Sequence, residues 1–480
     1  FFKQKTAYEI RNCDWSSDVC SSDLMRDVDA TDEHAKESRI VVLRDSDGDG
    51  TLDQSTVFLD EIVLPRAVLP LPGGALVILP PQIVWAEDRD GDGRAERVVE
   101  IAKGFQSGLE NPEHCGNGLL WGLDNRIHLA NDRRIFRWSS RGFTIEPGAG
   151  GGQWGITQDD RGRLYFNYNE DWLRVDLVPG RYRARVLDQA SFRGCNYRTA
   201  PDPSLWPIHA TPGVNRGYQP GMLKDGVLTR HTAVCSPWIV RSAAMGEANG
   251  DALVCEPAGN LVRRFRLADQ DGMLSATNAY ERAEFLASTD ERFRPVGLFA
   301  LADGSLGLVD MYRGVIQHRN YVTSFLRKQI EQRKLEQPIH RGRLWRICAD
   351  GAQSLAQPLA QATTAQLVEA LGSADGWQRD TAQRLLVVRA DSSAVPMLRK
   401  VLRTAAQPSA RLHASAALDG LGALDSNDLR ALLAMDDSGL LAFALQRCSA
   451  GLAQGDRVLW ERIELLVQHR AKSVRWHAAL

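Results

Sequence analysis

The sequence predicts an all-β propeller of about six blades, the first of them truncated, followed by an all-α domain of HEAT-like repeats. Three observations predict it. Residues 40–50, IVVLRDSDGDG, return 43 residues later as 83–93, IVWAEDRDGDG. Repeats of about 40–50 residues that contain several short strands are a propeller signature. Short apolar runs parted by Gly and Asp turns continue to about residue 310. Beyond residue 350, Gly and Pro thin out and Ala and Leu take over. A β-sandwich is the alternative for the first part, and the 43-residue repeat argues for radial repetition instead.

The expected boundaries are 1–24, 25–349 for the propeller, 350–363 for a polar linker and 364–480 for the helical repeats. Residues 3–10, KQKTAYEI, read like a translated sequencing adapter, and 14–24, DWSSDVCSSDL, like its read-primer partner. A natural polar arm is the other reading. Segments of foreign origin do not enter fold reasoning. The expectation is that genuine sequence starts at or near Met25 and that the chain is cut at both ends, with any leader outside view.

The apolar runs supply hairpins in order. They are 67–71 and 75–79 around Gly73-Gly74, then 119–123 and 127–130 around Asp124-Asn125. Next come 155–157 and 164–167 around 160–162, and 296–301 and 306–310 around Asp303-Gly304. Such turns need positive φ, which Gly, Asn and Asp tolerate. After 364 the period is helical, with Leu367, Val368, Ala370 and Leu371 on one face and Val395, Leu398, Val401 and Leu402 on another. A signature Arg-x-x-Ala recurs at Arg379, Arg411 and Arg475, one and then two periods of 32 residues apart.

The net charge of −2 gives no electrostatic reason for a nucleic-acid or anionic-membrane partner. No apolar run is long enough to span a bilayer. With Cys13 and Cys20 set aside, six cysteines remain and none sits in a Cys-x-x-Cys pair, so a structural zinc site is not expected. Cys235 and Cys255 flank two strand-like segments. A disulfide there and six unbridged buried thiols both remain open.

Two acidic loops have the oxygen spacing of calcium sites: Asp45, Asp47, Asp49 and Asp53, then Asp88, Asp90, Asp92 and Glu96. Alternate carboxylates can converge on one hard cation, and the Gly after the third permits the sharp turn. Position twelve is Thr56 or Val99, not the Glu of an EF-hand, and the flanks are strands. Calcium stapling two strand ends is the expectation, and a solvated acidic turn is the alternative.

Residues 113–124, EHCGNGLLWGLD, hold a His followed after eight residues by Gly122 and then Asp124. This resembles the soluble quinoprotein glucose dehydrogenases, in which Asp-His is followed at that distance by Gly-Pro-Asp. The resemblance implies His114 as general base, Glu113 as its acidic neighbour, and hydride transfer to pyrroloquinoline quinone. Glu113 stands where the family has Asp, and Leu123 where it has Pro.

Residues 256–262 (EPAGNLV), 294–296 (RPV) and 310–318 (DMYRGVIQH) make the chain similar to the large membrane-bound dehydrogenase-type proteins of planctomycetes and verrucomicrobia. That layout is a propeller, HEAT-like repeats and a c-type cytochrome module. It implies a carbohydrate or alcohol substrate and a cytochrome c electron acceptor on a further C-terminal part. This chain has no Cys-x-x-Cys-His, so covalent haem is not expected in it.

Asn117, Asn169, Asn260, Arg294 and Arg313 are the expected cofactor-binding side chains by resemblance; turn stabilisation and closing-blade packing are their other reading. The resemblance and the calcium loops together imply a periplasmic or extracellular site, with the cytoplasm as the alternative. The competing function is a non-catalytic glycan- or protein-binding scaffold. Arg and Lys side chains lining the tunnel near His114 favour the enzyme, and their absence favours the scaffold.

Overall fold

The computed structural model describes residues 17–18, 36, 38–44, 46, 52–105, 111–185, 192–338, 341–351 and 359–480. The strands are short and pair antiparallel, mostly with their neighbours in sequence. The first sheet has β1 (Ser17–Asp18), β2 (Ser38–Arg44) and β3 (Gln54–Ile62). The second has β4 (Ala67–Leu71), β5 (Gly74–Leu79), β6 (Gln82–Glu87) and β7 (Arg97–Lys103). The third has β8 (Asn117–Trp121), β9 (Ile127–Ala130), β10 (Arg134–Ser139) and β11 (Gly142–Pro147). The fourth has β12 (Ile156–Gln158), β13 (Leu164–Tyr168), β14 (Asp171–Val175) and β15 (Tyr197–Arg198).

A small hairpin, β16 (Leu223–Lys224) and β17 (Val227–Leu228), lies in the long connection that follows. Then come β18 (Cys235–Ile239), β19 (Ala252–Glu256), β20 (Leu261–Gln270) and β21 (Met273–Asn278), with β22 (Leu286–Ala287) also on β20. The last sheet is β23 (Pro295–Ala300), β24 (Leu306–Asp310) and β25 (Arg343–Ile347).

The first strands of successive sheets, β4, β8, β12, β18 and β23, pack side by side in turn. Five sheets therefore stand radially as propeller blades. Apolar residues of adjacent blades interlock: Leu76, Ile78 and Ile83 meet Trp121, Ile127 and Phe136 in one core. Ile40, Phe58 and Ile62 of the first sheet pack on Ala75, Val77 and Val84 of the next. The repeated sequence blocks occupy matching places, entering β2 and β6 and leaving into β3 and β7. The expected turns carry the positive φ they need, at Gly73 (81°), Asn125 (57°), Gly162 (74°) and Gly304 (84°).

The last blade departs from the four-strand pattern. Helix α1 (Ser324–Arg333) lies between β24 and β25. Thr323 caps it by accepting from Leu326 N, and Leu326 and Ile330 bury against Val315 and Leu335. A sequence reading by hairpin turns does not register this helix, because its apolar face is only two residues deep.

Beyond β25 the chain is helical: α2 (Thr364–Ala370), α3 (Gly376–Arg389), α4 (Ala394–Thr404), α5 (Pro408–Gly420) and α6 (Ser426–Leu433). Then follow α7 (Ser438–Leu445), α8 (Ser449–Ala453), α9 (Arg457–Leu466) and α10 (Lys472–Ala479). Helices α3, α5, α7 and α10 pack in sequence as one row; in the other, α2 meets α4 and α6 meets α9. The recurring Arg has one job in three places. Arg379 donates to Ser373 O (2.7 Å), Arg411 to Ala405 O (2.6 Å) and Arg475 to His469 O (2.7 Å). Each pins the carbonyl six residues upstream, so each ties its helix to the loop that enters it. Ala382 and Ala414 are fully buried, where a larger side chain would part the rows.

The α3–α5–α7–α10 row covers one face of the propeller. Gln383 donates to Leu123 O (3.1 Å), Asn125 to Ala416 O (2.7 Å) and Lys472 N to Asp271 (2.8 Å). That face holds the turns between first and second strands and, at Asp271, between third and fourth. The opposite face, built from second-to-third-strand turns and blade-to-blade connections, is left to form a site.

Candidate functional site

A cavity of about 570 Å³ opens on this opposite face. Its walls are the connections into β4 and β8, the turn after β13, the long connection before β18, the turn after β19 and the segment after β24. Cys235, Val296 and Val309 form part of the apolar lining. Trp154 contributes an indole, with the Arg66 guanidinium 4.4 Å from its ring centroid.

The acidic group is Glu113, on a single 3₁₀ turn, Pro112–His114. Its carboxylate accepts from Gln317 Nε2, across the cavity from the segment after β24. Burial raises the Glu113 pKa above the ordinary carboxylate value, against the opposing pull of Gln317, Arg66 and Arg216. Gln153 holds this arrangement together: its Nε2 donates to Glu113 O (3.3 Å) and its Oε1 accepts from Asn169 N (3.3 Å). Sequence reasoning missed Gln153, Gln317 and Trp154, because no local motif marks a residue whose partners are 16 to 204 positions away.

The expected site residues separate into two groups. Glu113, Asn117, Asn169 and Arg294 line the cavity. His114, Asn260 and Arg313 are not part of its lining. His114 is exposed beside the mouth, and its main-chain carbonyl accepts from Asn131 Nδ2 (2.6 Å). Asn260 sits in the β19–β20 turn at φ 57°, donating to Phe293 O (2.5 Å) and meeting His209 through its amide oxygen (3.0 Å). The Arg313 carbonyl accepts from Arg294 Nε (3.0 Å). Arg294 Nη1 and Nη2 also donate to Pro257 O (2.6 Å) and Gly314 O (2.9 Å), so its guanidinium is a strut between turns.

The second acidic loop gathers its carboxylates. One oxygen from each of Asp88, Asp90, Asp92 and Glu96 lies within 4.8 Å of the others. Backbone amides shape the loop: Asp88 accepts from Gly91 N and Gly93 N, and Glu96 from Arg89 N. In the first loop, Asp45, Asp47 and Asp49 lie outside the described residues. Asp53 is described there and accepts from Ser46 N (2.8 Å) and Ser46 Oγ (2.5 Å).

The family described as Domain of unknown function (DUF7133) matches residues 19–351. The chain belongs to this family. The DUF7133 region takes in β2 to β25 and the cavity and stops before α2. No curated protein matches the chain. Among solved structures, a luciferin-regenerating enzyme is 11% identical over 68% of this chain and 88% of its own, with a TM-score of 0.34. A glucose dehydrogenase-type oxidoreductase from Thermus thermophilus is 15% identical over 51% and 90%, with a TM-score of 0.25. A Family AA12 carbohydrate-active enzyme of Trichoderma reesei is 10% identical over 64% and 96%, with a TM-score of 0.34. Likenesses this distant carry no argument about what the DUF7133 cavity does.

The cavity's own residues do not fit pyrroloquinoline quinone. That cofactor bears three carboxylates and needs several cations turned toward it. Arg294 gives three of its five N–H donors to backbone carbonyls, and Arg216 is ion-paired with Glu170. Arg66 stacks on Trp154, and among the described residues no lysine lines the cavity.

Proposed function

We propose that the DUF7133 cavity binds a polyhydroxylated small molecule, a carbohydrate or related alcohol, with Glu113 as its acid–base group. The supporting observation is the enclosed Glu113 carboxyl in a cavity of about 570 Å³ whose polar lining includes the amides of Asn117, Asn169 and Gln317. Sugar hydroxyls both donate and accept, which suits amides and a carboxyl. Their C–H faces suit the Trp154 indole and the Tyr218 ring. A carboxyl with a raised pKa holds its proton closer to neutral pH and is suited to proton exchange with a bound hydroxyl.

The test is calorimetric titration with a panel of monosaccharides, oligosaccharides and alditols. Glu113→Gln and Trp154→Ala are expected to weaken the best ligand about tenfold or more, the scale of one charged hydrogen bond or one stacking face. A folded wild type that gives no saturable heat with any of them sinks the proposal.

The same enclosed carboxyl supports a second reading, a sugar or alcohol dehydrogenase that passes electrons to a c-type cytochrome. The hydride acceptor would come from outside the residues of the cavity, and the misfit with the quinone weighs against this reading. Dye reduction with added quinone and sugar separates the two: binding without turnover leaves a recognition scaffold.

We further propose that Asp88, Asp90, Asp92 and Glu96 hold calcium, and that the β1–β3 sheet is a sixth blade. The paired helix rows and the repeated Arg clamp support a HEAT-like reading of α2–α10. Calcium use favours a periplasmic or extracellular site.

A further inference from the structure

We infer that Cys235 and Cys255 form a cross-strand disulfide in the wall of the cavity. They face each other directly in the antiparallel register of β18 and β19. Residues so opposed project to the same face with Cβ atoms about 4.5–5.5 Å apart. A disulfide needs about 3.5–4.5 Å between Cβ atoms, so a small approach of the strands suffices. Both side chains are buried in one apolar cluster with Leu253, Val262 and Leu308. The register shifts just after Cys235, where Ser236 sits at φ 47°. Among the described strands, no other cysteine faces a cysteine. Cys115, Cys195, Cys348 and Cys448 lie outside the strands altogether.

The bond forms by thiol–disulfide exchange with an oxidised small thiol such as glutathione disulfide. One cysteine thiolate attacks it, releasing one glutathione thiolate and leaving a mixed disulfide. The sulfur of the other cysteine displaces the second glutathione. Two electrons pass to the oxidant, and the two cysteine protons end on the released thiols or in solvent. Burial pushes the Cys255 thiol well above its ordinary pKa, so exchange in the finished fold is slow. The Cys235 sulfur then turns from the Pro295 and Val296 carbonyls, each 3.9 Å away on β23, toward β19. The closed loop contains Arg241, which reaches Asp380 on α3, so the staple lies between the cavity wall and the helix contact.

The test is to refold the full chain with oxidised glutathione or with excess reductant, alkylate the remaining thiols after denaturation, and map peptides without reduction. Cleavage after Arg241 parts the two cysteines, so the bridge shows as a linked pair of peptides lighter by two hydrogens. The expected result is that pair in the oxidised sample alone, with alkylated thiols reduced by one pair. Cys235→Ala is expected to leave Cys255 fully alkylated, and Cys255→Ala to leave Cys235 so. If either variant misfolds, the wild-type map still decides. Full alkylation of both cysteines after oxidative refolding, or linkage of either to another cysteine, overturns the inference.

Discussion

Arg294 shows how a residue that lines a cavity can also brace the turns around it. Its guanidinium is buried and meets three main-chain carbonyls, from Pro257, Arg313 and Gly314. Arg294→Lys keeps the charge but loses the fork. It is expected to lower stability by about 3 kcal/mol, read by urea unfolding. A loss of sugar binding at unchanged stability would instead place Arg294 in ligand contact. The acidic loop gives a second test at this scale. Calcium is expected to raise the melting temperature of the wild type, and a chelator to reverse it. Asp88→Asn is expected to abolish the response, because Asp88 is the buried member of the four carboxylates. An unchanged melting curve with calcium would leave an acidic turn shaped by its own backbone amides.

Each blade and helix depends on a few backbone contacts that tolerate no extra atom or lost donor. Gly74, opening β5 at φ 148°, is one. A Cβ there would sit 2.0 Å from Ala86 O on the paired strand β6, and backbone cannot step aside as a side chain can. Gly74→Ala is expected to cost more than about 3 kcal/mol or to prevent folding, seen as loss of the cooperative melt. In the helices the corresponding contact is the Arg clamp. Arg411→Met removes the donor to Ala405 O and is expected to destabilise by about 1–3 kcal/mol in chemical unfolding. Equal stability of the two proteins would mean that water replaces the clamp.

Propeller and helices join through a charged network. Arg241, in the β18–β19 loop, meets Asp160 (2.6 Å) and both Asp380 oxygens (2.6 and 3.0 Å), while Arg379 also meets Asp160 (2.5 Å). Asn125, Gln383 and His413 continue it as a chain of hydrogen bonds (2.8 and 2.7 Å). Burial holds the His413 imidazole down at about 3, with Asp380, Asp160, Arg379 and Arg241 around it. Its folded pKa lies below its ordinary value of 6.5, so its contribution is present above that value and is lost as pH falls toward 3. Asp176, near a small cavity of about 110 Å³ that α7 and α10 help to close, behaves oppositely. Burial raises its carboxyl to about 7, so its contribution is present at low pH and is lost as pH rises through about 7. Asp176→Asn is expected to gain stability above about pH 7, by about 4 kcal/mol at most, and to gain little near pH 4. A gain that is the same at both ends would show that shape, not charge, is the cause.

The hairpins were legible because period-two apolar runs and Gly, Asn or Asp turns are local signals, and β4, β9 and β24 fall on the expected runs. The acidic loop at 88–96 was legible for the same reason: its four carboxylates lie within nine residues. The site was legible only in part. A stretch such as 113–117 names candidates but does not say which way each one faces, and Glu113 turns into the cavity while His114 stays outside its lining. The sequence by itself determined the repeat period, the turn positions, the change from strand to helix and the spacing of the acidic loop, all of which are set by neighbours in the chain. Tertiary structure alone decided that Gln153 and Gln317 support Glu113, that Arg294 braces three carbonyls and that the helices cover one face. Those outcomes depend on contacts between residues distant in sequence, where burial and hydrogen-bond demand choose the partner.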